Sequence, residues 1–381
     1  MQLIIKTKIF IQAIKFNTTI ANLNALNQFL NGVMIRLKDN KIEVKATNTQ
    51  ISSFFYIPKD DFETDGNDFA LLVNAKIIYG LINKVKDEKI ILSLVDNNTL
   101  IIKTKNFETQ INTIDLQSFP MFDLNLANYE QVNLSSQIFN EINNKILPVI
   151  PNLNGTEKML SFAGVNINTT TTEGKITILG TDKIRAAMLN KPFDRQGYNF
   201  IVSYQTMRIV LDVLKNNANN NTEINLYMKD KNLVFAFNDA FLLTKAIDGE
   251  YPKITSLFDV PENLLEFKIS FSKQSFLEVI ERGMIIMTQE KKPKMSMEIK
   301  GNYAFLKFQT YEIGNLEEQV EISNYTDSDV SVKINPMILA SVLKSFSHDE
   351  IIINKDKNKN IIVFVDEKDP DFKQIISLIK E

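Results

Sequence analysis

A segment that recurs three times at even spacing decides what this chain can become. Val132-Asn-Leu-Ser-Ser-Gln-Ile-Phe-Asn-Glu-Ile142 aligns without gaps on Ile269-Ser-Phe-Ser-Lys-Gln-Ser-Phe-Leu-Glu-Val279. Ser135/Ser272, Gln137/Gln274, Phe139/Phe276 and Glu141/Glu278 are identical at an offset of 137. The opening Leu3-Ile-Ile-Lys-Thr-Lys-Ile-Phe10 fits the same frame, with Phe10 in the shared phenylalanine slot. Each copy reads as a short alternating strand whose period of 2 gives way to about 3.6 residues, which is the mark of a helix. Ser135 and Ser272 stand where an N-cap is wanted, because a hydroxyl accepts from the first free backbone N–H groups of a helix. Periodicity on this scale means one supersecondary unit used repeatedly.

A second family of segments lies in the latter half of each copy: residues 70–82, 200–214 and 330–343. Asn74, Ser203 and Asn335 are their caps, and Pro336 takes the first helical position, where its missing N–H costs nothing. Helices are therefore expected over residues 7–17, 74–86, 135–147, 203–216, 272–284 and 335–345. Each later helix leads into alternating strands: 89–95 and 99–104, 223–228 and 232–237, 350–354 and 360–365. The polar turns Asp96-Asn-Asn98, Lys229-Asp-Lys231 and Lys355–Lys359 read as hairpin connections. The first two copies also end alike, in Ile114-Asp115…Phe119-Pro120 and Ile247-Asp248…Tyr251-Pro252. Three near-equal domains follow, residues 1–126, 127–253 and 254–381. Each is a doubled strand–helix–strands unit, so the class is α+β with long antiparallel sheets.

Composition removes several chemistries. The chain has no cysteine, which excludes disulfides, thiolate zinc sites and a cysteine nucleophile. Its single histidine, His348, has no second imidazole for a shared metal. The start breaks its apolar run with Lys6 and Lys8, unlike a signal peptide. No run of about 18 uncharged apolar residues offers a membrane span. A cytoplasmic, membrane-free protein is expected. Asp61-Phe-Glu63-Thr-Asp65-Gly66 imitates a calcium loop, but Leu72 stands where the bidentate glutamate belongs. Thr172-Glu-Gly174-Lys175 hints at a phosphate loop, yet Ile176 replaces the required hydroxyl and Gly164 is too distant. The Asn-x-Thr triplets at Asn17 and Asn154 carry no weight without a secretion signal.

Charge placement is more informative. The six expected helices carry Lys8, Lys15, Lys76, Lys84, Lys86, Lys145, Arg208, Lys215, Lys273, Arg282 and Lys344, against four acids, Glu141, Asp212, Glu278 and Glu281. These windows are net +7 in a chain of formal charge −3, so the remainder holds −10. If the repeats bring the helices to one surface, that surface is basic and the sheet side acidic. Duplex DNA presents one phosphate charge per roughly 1.7 Å, so such a surface favours it without reading sequence. Zinc-finger spacing, tryptophan and an arginine-rich recognition helix are absent from the sequence. Two other readings stay open on residues alone. One is a metal-dependent hydrolase using the acidic cluster Asp60–Asp68, and the other is a repeat scaffold that assembles proteins without DNA.

Particular motifs bring a family into view. Gly180-Thr181-Asp182-Lys-Ile-Arg185-Ala-Ala, Ile247-Asp248-Gly249-Glu-Tyr251-Pro252, Asp115…Ser-Phe119-Pro120 and Glu312-Ile-Gly314-Asn-Leu-Glu317-Glu318 make the chain resemble the bacterial sliding clamps, the beta subunit of DNA polymerase III, over essentially its whole length. The resemblance implies a DNA-clamp fold: a head-to-tail homodimer closing a ring, with helices lining the hole and sheets outside. It implies a processivity factor without catalysis, cofactor or metal, encircling double-stranded DNA and serving the replicative polymerase alpha subunit, the clamp loader and other clamp-motif proteins.

By position, the family's partner-peptide cleft falls on Phe162, Thr181, Lys183, Ile184, Arg185 and Ala186. It continues through Pro252, Leu257, Asn335, Ile338 and Ile362 to the tail residues Ile375, Ile376, Ser377, Leu378 and Ile379. In that cleft, aliphatic walls would take apolar anchors and Arg185 and Asn335 would act as polar guides. The dimer seam would set Ile111 against Ile285 and Ile286, and Lys103 and Lys105 against Glu317 and Glu318. The chain departs from the family pattern at Lys183-Ile184, where many clamps have Gly-His, and at Asn24–Gln28, where an arginine-bearing loop is usual. Its tail, Ser377-Leu378-Ile379-Lys380-Glu381, also lacks the common proline.

Overall fold

The computed structural model describes residues 2–22, 25–65, 68–96, 98–120, 122–151, 161–216, 224–326 and 329–380. Asn24, Gly66 and Asn154, singled out above, lie outside the described residues. In the first third, β1 (Gln2–Lys6) runs into α1 (Thr7–Thr18), followed by β2 (Gly32–Lys38), β3 (Lys41–Thr47), β4 (Ile51–Ile57), β5 (Phe62–Thr64), β6 (Phe69–Asn74), α2 (Ala75–Ile82), β7 (Lys89–Val95), β8 (Thr99–Lys103) and β9 (Glu108–Asn112). The second third holds β10 (Glu130–Val132), α3 (Ser136–Glu141), β11 (Gly164–Asn168), β12 (Lys175–Thr181), β13 (Arg185–Pro192), β14 (Asn199–Ser203), α4 (Tyr204–Asn216), β15 (Asn225–Lys229), β16 (Asn232–Phe237) and β17 (Ala240–Lys245). The last third has β18 (Leu265–Ser272), α5 (Lys273–Ile286), β19 (Met295–Lys300), β20 (Tyr303–Thr310), β21 (Gly314–Glu321), β22 (Ser323–Asn324), β23 (Val330–Ile334), α6 (Pro336–Ser345), β24 (Glu350–Asp356), β25 (Ile361–Val365) and β26 (Phe372–Ser377). The fold is α+β, and all of its strand pairings are antiparallel among the described residues.

The cap residues start the helices as side-chain chemistry requires. Asn74 accepts from the Ile77 N–H, Ser203 from Thr206, Ser272 from Ser275, and Asn335 from Met337 and Ile338. Ser135 reaches Ile138 only at 3.4 Å, a weak cap. The shared slot of the repeat is a core pillar each time: Phe10, Phe139 and Phe276 have no exposed surface. In α5, Gly283 lets the helix lie on β20, since a Cβ there would meet the Phe308 ring at 2.4 Å.

Two helices differ from expectation. α2 stops at Ile82, so Lys84 and Lys86 fall in the turn that follows. The α-helical hydrogen bonds of α3 stop at Glu141, and a π turn (Ile142–Ile146) and a 3-10 turn (Leu147–Val149) continue the segment. Pro148 has no N–H to carry an α-helix onward. The turn also presses on β12, where a Cβ on Gly180 would lie 3.0 Å from the Ile146 carbonyl oxygen. This explains the glycine of the Gly180-Thr181-Asp182 motif.

The described residues pack into two compact units that do not follow the thirds. The first, Met1–Phe139 with Arg208–Ala246, contains a five-stranded sheet in the order β5-β1-β7-β8-β9 and an eight-stranded sheet in the order β10-β15-β16-β17-β4-β3-β2-β6. β17 of the second third pairs with β4 of the first, Thr244 opposite Ile51. The second unit, Asn140–Met207 with Ile247–Glu381, has a nine-stranded sheet in the order β14-β11-β12-β13-β26-β25-β24-β18-β22 and a four-stranded sheet in the order β21-β20-β19-β23. There β13 of the second third pairs with β26 of the last, Arg185 opposite Ile376 and Ala186 opposite Ile375.

Candidate functional site

Nine of the eleven basic side chains assigned to the helices are exposed: Lys8, Lys15, Lys76, Lys84, Lys86, Arg208, Lys215, Arg282 and Lys344. In the first unit α1 packs beside α2, and in the second α5 packs beside α6. Not all of this charge is free. Arg282 grips Glu318 with two hydrogen bonds of 2.7 and 2.6 Å, Lys344 lies 3.5 Å from Glu281, and half-buried Lys273 donates to the Phe346 carbonyl.

Lys145 overturns its assignment to an exposed basic face. It is only 7% exposed, pairs with Asp369 at 2.6 Å and Glu141 at 2.8 Å, and lies over the Phe372 ring. Burial opposes the ammonium charge, but the hydrogen bonds to Asp369 and Glu141 outweigh it and hold the pKa above 10.5. Burial likewise opposes the Glu141 carboxylate, and hydrogen bonds from Lys145 and Lys191 overcome it, holding this carboxyl below its ordinary range. The π turn directs Lys145 into the second unit's interior, so its charge is spent there.

The Thr181–Arg185 turn joins β12 to β13. The Lys183 N–H donates to Thr181 Oγ1, the Ile184 and Arg185 N–H groups to Asp182 Oδ1, and Thr181 Oγ1 to the Arg185 carbonyl. These bonds keep Lys183 at φ +74°, a left-handed conformation that costs a lysine roughly 1 kcal/mol. The first unit contains a twin. Between β3 and β4, Thr49 sits at φ +77° and donates to Thr47 Oγ1; Gln50 and Ile51 donate to Asn48 Oδ1; Thr47 Oγ1 donates to the Ile51 carbonyl. The repeat has thus built one turn twice, with the same four hydrogen bonds.

The floors beside the two turns differ. Two residues before the threonine, the second unit has Leu179, packed in an apolar cluster with Ala186, Met188, Phe258, Val363 and Ile375, against which Leu257 and Tyr251 lean. The first unit has Lys45 there, 1% exposed, bound to the Phe122 carbonyl and paired with Glu43 and Asp123. Phe122 meets Phe54 edge to face, 5.1 Å between centroids. A buried lysine, tied to carboxylates that reach the surface, and an aromatic ring therefore lie at the first unit's floor.

The expected cleft residues divide between two faces of the nine-stranded sheet. Ala186, Leu257 and Ile375 share the apolar cluster, and Thr181, paired opposite Ala186, points the same way. Arg185, Ile376 and Ile362 are paired across the strands on the opposite face. Ile362 and Ile376 have no exposed surface, so they are core and not walls of an open cleft. Val363, which the sequence reading passed over, is the neighbour that faces the Leu179 cluster, but at 1% exposure it too is core; strand parity sends Ile362 to the other face.

The two intended polar guides are occupied. The Arg185 guanidinium binds Asp182, Ser341 Oγ and the Pro148 carbonyl, and the Asn335 side chain caps α6. Pro252, Lys183 and Ile184 remain exposed; Phe162, Ile338, Ser377 and Ile379 are partly so, and Leu378 is buried. The tail follows β26 closely, Ser377 donating to the Ile184 carbonyl and Ile379 to that of Lys333.

Three of the seven residues expected at a seam, Ile111, Glu317 and Glu318, lie on strands that end their sheets. β9, carrying half-buried Ile111, is the outer strand of the five-stranded sheet, and β21, carrying Glu317 and Glu318, that of the four-stranded one. Ile285 is 69% exposed and Ile286 half-buried at the end of α5. Lys103 pairs with Glu108, Glu318 with Arg282 and Glu317 with Lys307, while Lys105 is exposed. In the acidic cluster, Asp61 pairs with Lys6 and Asp65 accepts the Gln2 N–H, so these carboxylates point to separate partners. Among the described residues no three acidic or histidine side chains gather around a point, and no helix is long and apolar enough to cross a membrane.

Solved structures share this architecture along their whole length. The DNA polymerase sliding clamp of Caulobacter crescentus superposes with a TM-score of 0.88 at 16% identity, covering all of both chains. The beta subunit of DNA polymerase from Streptococcus pyogenes gives 0.86 at 17%, again with full coverage. The fold is that of the DNA clamps. A family model described as DNA polymerase III beta subunit, N-terminal domain, matches residues 1–123. The beta sliding clamp of Mycoplasma genitalium is 23% identical over 374 residues, 95% of each chain. The chain is thus similar to the bacterial DNA polymerase III beta subunits, the beta sliding clamps, by its first 123 residues to their family model and by nearly its whole length to the relatives.

Proposed function

We propose that two copies of this chain close head to tail into a ring around duplex DNA and act in the cytoplasm as the processivity factor of the replicative polymerase. The observation that carries this reading is the concentration of exposed basic side chains on the repeated helices and the turn after α2, in a chain that is acidic overall. Lys8, Lys15, Lys76, Lys84, Lys86, Arg208, Lys215 and Lys344, with Arg282 and Lys273 contributing less, attract phosphates without reading bases, so the ring slides. The role is non-catalytic: the protein holds, and its partners react. The three thirds, residues 1–126, 127–253 and 254–381, act as the ring's domains.

Closure joins the outer strands β9 and β21 of different copies, with Ile111, Ile285 and Ile286 as its apolar contacts. A head-to-tail contact closes when its rotation permits, and closure removes sheet edges that would otherwise aggregate. The surface around Phe162, Lys183, Ile184, Pro252, Leu257 and Ile338 receives apolar peptide segments of the polymerase alpha subunit, the clamp loader and other clamp-motif proteins.

The test is topological retention. Loaded onto nicked circular DNA, the protein should stay bound through gel filtration and leave when the circle is linearised, and its solution mass should be twice the chain's 43.6 kDa. Equal loss from circle and line, or a monomer at micromolar concentration, would overturn the ring.

A further inference from the structure

In the first unit, the face of the eight-stranded sheet turned away from α1 carries a row of rings. Ser53 bonds Asn17 and Phe55 packs on Phe16 of α1, so alternation sends Phe54 and Tyr56 to the other side. Phe122 covers Phe54, but the row runs on to half-buried Tyr56 and Phe241, which meet edge to face at 5.6 Å. They line a hollow of about 350 Å³, the size of a small-ligand site, together with Pro58, Lys41, Lys59 and Asp239. Lys41 comes from β3 and Asp239 from the turn before β17, on opposite sides of β4, and Lys59 follows Pro58 beyond its end. Exposed Lys41 makes no ion pair among the described residues. The Lys59 ammonium lies 4.6 Å from the Phe62 centroid, and Glu63 close by is paired with Lys89.

The repeat built this place twice. Tyr56 follows Thr49 as Asn190 follows Lys183, and the N–H of each donates to an aspartate carbonyl, Asp239 or Asp371, ahead of the next strand. Phe241 opposite Phe54 answers to Lys373 opposite Met188. In the second unit Asn190 accepts from Thr177 and Lys373 pairs with Asp259 at 2.6 Å, so the chain satisfies its own groups. In the first unit both places hold rings, and the lysines beside them are left without a carboxylate partner.

We propose that this hollow is a nucleotide site: a base stacks on Tyr56 and Phe241, its phosphate meets Lys41 and Lys59, and its exocyclic amine donates to Asp239. Every base has a π face, so the rings accept any of them. Ammonium groups hold a phosphate through charge-assisted hydrogen bonds. Asp239 disfavours a purely anionic aromatic and rewards a base with an amine, cytosine or adenine over thymine. Burial, then Glu43 and Asp123, push the Tyr56 phenol up to about 12, so it stays neutral and does not repel an anion. The site shares no residue with the DNA-facing set or the docking surface, so it stands or falls apart from them.

Saturation-transfer difference NMR on the full chain tests it, with dCMP, dTMP, deoxycytidine and a phosphorylated tetradeoxycytidylate as probes. The wild type should bind dCMP about two- to ten-fold more tightly than dTMP or deoxycytidine. Tyr56→Leu, which keeps an apolar side chain but removes the ring, should weaken dCMP about five-fold or more. Lys41→Gln with Lys59→Gln should bring dCMP down to deoxycytidine, and Asp239→Ala should level dCMP with dTMP. The lysines are exposed, so their double variant keeps the wild-type melting temperature and decides the matter even if Tyr56→Leu melts early. Tighter binding of the tetranucleotide than of dCMP assigns the site to an unpaired strand, and equal or weaker binding assigns it to the free nucleotide. No transfer to dCMP at millimolar concentration, equal affinity of dCMP with dTMP or deoxycytidine, or unchanged binding by the lysine variant overturns the site.

Discussion

Replacing Lys145 with methionine removes a charge from the second unit's interior while keeping most of the side-chain volume. Asp369 then loses its ammonium partner at 2.6 Å, whereas Glu141 keeps Lys191 at 3.0 Å. Breaking a buried ion pair from one side costs about 3–5 kcal/mol. Asp369 and Glu141 retain 17% and 16% side-chain exposure, so some solvation survives, and the expected loss is at the lower end, about 3 kcal/mol. Adding Asp369→Leu should recover most of it, because an apolar pair of similar size is tolerated where a lone charge is not.

The pH dependence has a definite sign. Glu141 is held below its ordinary 4.5, so its contribution is present above that value and fades as pH falls through the folded pKa. Lys145 is held above 10.5, so its contribution is present below that value and fades as pH rises through the raised pKa. The deficit of Lys145→Met should be flat near neutrality and shrink as pH falls below 4.5 and through the lowered Glu141 pKa. Urea melts followed by circular dichroism measure it, and DNA retention of the folded variant should match the wild type. An unchanged urea midpoint together with impaired retention would show that Lys145 faces DNA after all.

Other substitutions probe the turn and the tail. Gly180→Ala places a Cβ 2.9 Å from Ile146 Cγ2 and should cost about 1–3 kcal/mol, visible as a lower melting temperature; an unchanged one would deny the close approach. Arg185→Ala strands the Pro148 carbonyl and should speed amide exchange across residues 142–149, whereas unaltered exchange would mean that the guanidinium holds nothing there. Deleting residues 378–381 should leave a cooperative melt, while deleting 375–381 takes Ile375 and Ile376 from β26 and should unfold the second unit; similar melts for both would contradict the tail's register. Reversing Lys84, Lys86, Arg208 and Lys215 together should release the protein from circular DNA at lower salt, and unchanged retention would remove them from the DNA-facing set.

Local chemistry made much of the fold readable. Asn335 before Pro336 fixes the start of α6 to the residue, and the strands at 89–95 and 232–237 have the bounds that their alternation and polar turns announce. What escaped depends on partners far along the chain. The burial of Lys145 goes with Asp369, 224 residues away, and the close approach of the π turn to β12 depends on Gly180 on another strand. Pairing of β17 with β4 and of β13 with β26 crosses the repeat boundaries, so the packing units could not be read from the thirds. At the docking surface the error was one of parity: Ile362 and Val363 are equally apolar, and only the strand register tells which one faces the cluster. Arg185 looks like a free polar group in sequence because Ser341 and Pro148 become its neighbours only after folding, whereas the cap at Asn335 is legible and already argues against a second role for its side chain.

Lys45 bears on how a molecule made of copies keeps its addresses distinct. The repeat gave both sheet seams the same hydrogen-bonded turn. With a lysine in place of the leucine, the first seam has a rivet: Lys45 holds the chain's own connecting segment through the Phe122 carbonyl and Asp123. Leu179 makes no such tie, so the two like turns meet unlike surroundings.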